Sequence, residues 1–184
     1  MRPLFTVHAG EYLVGSFIEA NYPNWNVWVP AKDTSIDLLV TNASNTRTVT
    51  LHVKFSRDFN PTNRQNLLQN KLTATGWWTH QAKKIKDSNA DFWIYALPSF
   101  AEHKTYFIII PPKELLRRFR SIHNKLEKRI HSYLSVTKSG HCWEARGLNN
   151  VDQELLAFDR YRNADRDFTQ FLNNWSVIEK RLKR

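Results

Sequence analysis

Apolar positions along the chain recur with two periods, and each predicts its own kind of element. From Gly10 to Asn21 the residues Leu13, Val14, Phe17 and Ile18 fall on one stripe, which predicts a helix with Glu11 in its first turn. Tyr22-Pro23-Asn24 breaks it. Val27 and Val29 alternate with polar or bulky neighbours up to Pro30, and Ile36-Asp37-Leu38-Leu39-Val40 is a second short apolar run, so both read as strands. Arg47 to Ser56 alternates most regularly. Val49, Leu51, Val53 and Phe55 share one face, and Thr48, Thr50, His52 and Lys54 share the other. Residues 63–86 read as mainly helical with an interruption at Gly76, and Asp91–Leu97 and Lys104–Ile110 read as strands.

Pro111-Pro112 opens a helix whose stripe runs Leu115, Phe119, Ile122, Leu126, Ile130. A hairpin is expected around Lys138-Ser139-Gly140, and a last helix from about Asp167, carrying Phe168, Phe171, Leu172, Trp175, Ile178 and Leu182. Strands on both sides of a crossover helix imply a mixed sheet with helices on its faces, an α/β fold. The chain of 184 residues fits one domain: a core over about 10–110, a basic helix over about 112–131 and a mixed α+β extension over 132–184.

Composition narrows the function classes. Apolar residues at 41% and charged residues at 24% exclude disordered and fibrous chains. A single cysteine permits no internal disulfide and suits a cytoplasmic setting. The apolar runs, Tyr106–Ile110 among them, are far too short to cross a bilayer, and the first residues lack a signal-peptide pattern. The net charge of +10 favours a polyanionic partner. Much of it sits between Lys113 and His131, where Lys113, Arg117, Arg118, Arg120, Lys125, Lys128 and Arg129 face only Glu114 and Glu127. With the apolar stripe docked, the remaining face is expected to follow a phosphate backbone.

The candidate chemistry lies near the third strand. His52 and Lys54 project to one side, Asp37 sits on the preceding strand, and Glu11 is carried by a helix that packs on the sheet. Two carboxylates on rigid elements beside a lysine suit a hard divalent cation. Elsewhere the signals are weaker. His141-Cys142 lacks a zinc spacing, so a packing role in the hairpin is the better reading. Trp77-Trp78 reads either as a base-stacking pair or as core, the commoner fate of tryptophan. Gln81, Lys83 and Lys84 face either the same cleft, and a phosphate in it, or solvent. Trp143, Arg146, Arg160 and Arg162 cluster in the extension, where target specificity would sit.

The runs Gly10-Glu11-Tyr12-Leu13-Val14, Ile36-Asp37-Leu38-Leu39-Val40 and Leu51-His52-Val53-Lys54-Phe55-Ser56 resemble the PD-(D/E)XK nuclease superfamily, the restriction-endonuclease-like fold with an αβββαβ core. Two positions depart from its pattern: Ile36 stands where a proline is usual, and His52 stands where an acid is usual. The resemblance implies a metal-dependent endonuclease acting on double-stranded DNA, of restriction or genome-defence type, and is compatible with a homodimer. Glu11, Asp37 and the Val53 carbonyl would be ligands of Mg²⁺, or of Mn²⁺ if His52 joins them, and Lys54 would activate water. A nucleic-acid-binding module on the same fold with a decayed site, or an RNA-processing nuclease, would share the same residues.

Overall fold

The computed structural model describes residues 8–31, 35–60, 69–123 and 129–183. Helix α1 (Ala9–Asn21) is followed by the antiparallel meander β1 (Trp25–Trp28), β2 (Leu38–Asn42) and β3 (Thr48–Phe55). The chain then leaves this sheet and returns as β5 (Phe92–Ser99), which lies parallel to β3, and β6 (Lys104–Ile110) closes the order β1-β2-β3-β5-β6. Strand β5 lies inside the sheet between β3 and β6, and its continuous apolar run reflects cover on both of its faces.

One face of the sheet carries Val40, Val49, Leu51, Ile94 and Ile109, packed under Val14 and Ile18 of α1 and under Ile178 and Leu182 of α5 (Ser176–Lys183). The opposite face carries Trp93, Tyr95, Ile108 and Ile110. Here Leu115 and Phe119 of α3 (Pro112–His123) pack together with a second, three-stranded antiparallel sheet. That sheet has the order β4-β7-β8, formed by β4 (Leu72–His80), β7 (Ile130–Thr137) and β8 (Cys142–Glu144). The molecule is thus a mixed α/β layer structure in which helices cover one face and a sheet with helices covers the other.

Three expectations are corrected. The stretch read as mainly helical contains β4 instead, followed only by the short helix α2 (Ala82–Lys86); positions 63–68 lie outside the described residues. Thr73, Thr75, Trp77, Trp78 and Thr79 favour a pleated strand, and the partner that realises it, β7, lies some fifty residues away in the chain. Gly76 does not interrupt a helix but receives the Trp78 ring: a Cβ there would stand 2.1 Å from the indole. Of the helix expected over 112–131, Pro112–His123 is helical, 124–128 lie outside the described residues, and Ile130 belongs to β7 rather than to its apolar stripe. The last helix begins at Ser176, while Phe168 is buried in the core on the other side of the sheet.

The expected hairpin is present between β7 and β8, with Gly140 at φ +86°. The helix α4 (Asn150–Ala157), which the sequence reading did not anticipate, is capped by Asn149, whose side chain accepts from Asp152 N–H. Among the described residues no helix is long and apolar enough to cross a membrane.

Candidate functional site

The site lies where β2 peels away from β3. Their pairing ends at Leu38↔Leu51, with one more bond from Asp37 N–H to the Leu51 carbonyl, so His52 to Phe55 run on without β2 beside them. Asp37 closes the gap: its Oδ2 accepts from Val53 N–H at 2.7 Å. The Val53 carbonyl leaves the strand on the same edge as its N–H and therefore points into the notch. A notch between diverging strands is open to both faces of the sheet. Residues from α1 and from the His52/Lys54 face of β3 can meet only there.

Gly10 brings α1 to the notch. A Cβ at this position would stand 2.8 Å from the Phe55 Cβ, so glycine permits the close approach that seats Glu11 beside β3. Glu11 is 4% exposed and its Oε2 accepts from His8 N–H, an arrangement that also suits the helix dipole. Asp37 is likewise 4% exposed. Glu11, Asp37, His52, Val53 and Lys54 line one cleft of about 240 Å³. Asp37, His52 and Lys54 also line an adjoining cleft of about 440 Å³, together with Gln81, Lys83, Lys84 and Trp93. Asp37 and Lys54 therefore open on the same space.

His52 Nδ1 lies 2.9 Å from Asp37 Oδ2, at ion-pair distance but without hydrogen-bond alignment. Its ring packs on Trp93 at a centroid separation of 4.4 Å, and Lys54 Nζ lies 5.7 Å from the centroid of that same indole. Trp93 thus props both side chains. It escaped the sequence reading because its register opposite His52 comes from the parallel β3–β5 pairing, which no local pattern encodes. Among the described residues, no three His, Cys, Asp or Glu side chains come close enough to hold a metal ion. The available protein donors are the carboxylates of Glu11 and Asp37 and the Val53 carbonyl. That set suits Mg²⁺, which commonly takes one or two carboxylates and keeps several waters.

Of the candidate phosphate contacts, Lys83 and Lys84 both reach the larger cleft, Lys83 while paired with Asp87. The basic helix is corrected in part. Arg118 is 4% exposed and turned inward: Nε donates to Glu114, and Nη1 donates to the carbonyls of Ala164, Asp165 and Asp167. Arg117 is exposed but held by Glu114 and Asp165. Lys113 and Arg120 remain exposed on α3, whereas Lys125 and Lys128 lie outside the described residues. The expectation failed for Arg118 because counting charges ignores the backbone carbonyls and carboxylates that the C-terminal extension folds against α3.

Beside the site, His80 is buried and its pKa is pushed down to about 3 by desolvation, with Lys54, His52 and His131 adding repulsion. The unfolded chain binds a proton near pH 6.5 and the folded chain does not. The His80 contribution is therefore intact above pH 6.5 and lost as the pH falls from there toward 3. Urea unfolding at a series of pH values should show this decline at up to about 1.4 kcal/mol per pH unit from this group. His80→Gln, which does not titrate, should flatten it; an unchanged pH slope would show that other groups govern acid sensitivity. At the hairpin, burial pushes the Cys142 thiol far above its ordinary range, in keeping with a packing role.

Comparison with family models, with curated proteins and with solved structures finds no match to this chain.

Proposed function

We propose that the protein is a divalent-metal-dependent nuclease of the PD-(D/E)XK kind, cleaving DNA phosphodiester bonds in the cleft where β2 and β3 diverge. The observation that carries this reading is the convergence of Glu11, Asp37, Val53 and Lys54 on one cleft from a helix and two strands. The order of α1, the β1–β3 meander and a crossover to parallel β5 supports the restriction-endonuclease-like core.

In this reading Glu11, Asp37 and the Val53 carbonyl would hold the cation, which would supply Lewis-acid chemistry toward water and the phosphoryl oxygens. The Lys54 ammonium borders the same space, orients the attacking water and opposes the growing negative charge at phosphorus. Lys83 and Lys84 hold the scissile strand by its phosphates. His52 turns Nδ1 toward Asp37, leaving Nε2 on the far side of the ring as a proton carrier or water partner.

A second reading is a DNA-binding module on the same scaffold. It is favoured by one feature, the His52 ring resting against Asp37 where the family pattern has an acid. Incubation of supercoiled plasmid with Mg²⁺ or Mn²⁺ separates the two. Nicking or linearisation by the wild type, reduced about 100-fold or more in Lys54→Ala, is the expected result. Plasmid that is bound but intact with both ions would leave the binding module.

A further inference from the structure

The outer face of the three-stranded sheet is covered over only part of its length. At one end Trp143, Leu148, Leu156 and Tyr161 form a small separate core under α4. At the other end Trp77 and Tyr133, direct cross-strand partners on β4 and β7, are 43% and 38% exposed. Phe59, 38% exposed, meets Trp77 edge-on at a centroid distance of 5.9 Å. The neighbouring Trp78 points the other way and is 4% exposed, so the tryptophan pair is divided between core and surface by strand alternation.

The charge around these rings is positive. The Arg57 guanidinium lies 4.7 Å from the Phe59 ring centroid. On the other side, the His131 ring lies 6.1 Å from the Trp77 ring, centroid to centroid, and the His131 carbonyl accepts from Arg146 Nη1, which with Arg129 and Arg166 lines a cleft of about 290 Å³. The nearest acids are engaged from within. Asp58 is buried and accepts from the N–H groups of Asn60, Thr75 and Phe100, and Glu144 is buried against Arg166. Exposed aromatic rings flanked by arginine, on a rigid sheet, match a chain that alternates flat apolar bases with anionic phosphates. A folded duplex offers no free base faces to such rings.

The chain keeps this surface near the candidate cleft. It runs from Lys54 through Phe55, where β3 ends, and Ser56 to Arg57, three residues on and at most about 11 Å in reach. This segment is fastened to β4 by Trp77 N–H donating to Ser56 Oγ and Phe59 N–H donating to the Thr75 carbonyl. We propose that Phe59, Trp77 and Tyr133, with Arg57, form a stacking platform for unpaired bases of a DNA strand that enters the cleft at Lys54. The proposal deepens the nuclease reading and rests on it for the path of the strand.

The test is fluorescence anisotropy with a labelled single strand of about 12 nucleotides and with the matching duplex. Trp77→Ala and Tyr133→Ala should each weaken single-strand binding about tenfold, Trp77→Phe should retain most of it, and duplex affinity should change less than about twofold. Arg57→Gln should lower the salt slope for the single strand by about 0.7. Single-strand affinity unchanged in the Trp77→Ala/Tyr133→Ala double variant overturns the proposal, as does an equal loss for the duplex or binding to RNA alone. Loss of self-association with DNA affinity intact would assign the face to a second copy and also overturn it. The two readings fail separately. A wild type that cleaves nothing with either ion, while Trp77→Ala still weakens strand binding, ends the nuclease reading and keeps the platform. Normal cleavage with an indifferent double variant does the reverse.

Discussion

Asp37→Asn is expected to remove metal-dependent cleavage while leaving the fold and DNA binding in place. The carboxylate is buried in the notch, where Oδ2 accepts from Val53 N–H at 2.7 Å. An asparagine oxygen in the place of Oδ2 can accept the same bond and stay beside His52 Nδ1, so the divergence of β2 from β3 survives. The stability change should stay within about 1 kcal/mol. What disappears is the negative charge that a hard cation requires, and the loss in cleavage rate should be at least about 100-fold. DNA affinity should hold or rise, since a like charge near the phosphate has been removed. Single-turnover cleavage alongside anisotropy resolves the two effects, and an Asp37→Asn protein that cuts at the wild-type rate would remove Asp37 from the reaction.

The largest effect on stability is expected at Arg118, far from the notch. Its guanidinium joins α3 to the C-terminal extension through three backbone carbonyls, is held within α3 by Glu114, and lies 5.2 Å and 4.9 Å from the ring centroids of Phe168 and Phe171. Arg118→Ala leaves those carbonyls unpaired and opens a hole against Phe168, which is fully buried. A loss of about 3–5 kcal/mol follows for breaking a buried charged network, or roughly 6–20 °C in Tm for a chain of this size. Arg118→Lys should recover little, because a single ammonium cannot reproduce the planar fork. Calorimetry decides this. A Tm within about 2 °C of wild type would contradict the structural role, and a matching fall in DNA affinity without destabilisation would restore Arg118 to the binding surface.

The two substitutions mark different depths of information in the sequence. Alternation in β3 was plain from Val49, Leu51 and Val53, and the stripe of α1 from Leu13, Val14, Phe17 and Ile18, because burial of one face of a single element imposes its own period. Those elements carry Glu11, Asp37, His52 and Lys54, so the residues of the candidate site could be named from the chain alone. Their meeting in one cleft depends on where β2 leaves β3 and on Gly10 admitting α1 to within contact of Phe55, and both are matters of packing between elements.

Strand β4 was missed for a related reason. Its alternation is broken by Ala74, Gly76 and the Trp77-Trp78 pair, and it is stabilised by pairing with β7, whose sequence is distant. That same pairing sent Trp78 into the core and Trp77 to the surface. Arg118 shows the limit for charge. The sequence placed seven basic residues between Lys113 and Arg129, but the fates of Arg117 and Arg118 were decided by which acids and carbonyls the extension from Ala164 to Asp167 laid against the helix. Local periods and residue types determined the elements and the chemistry available in them. Long-range pairing, which brings together groups far apart in the chain, decided which of those groups meet a partner, a cleft or solvent.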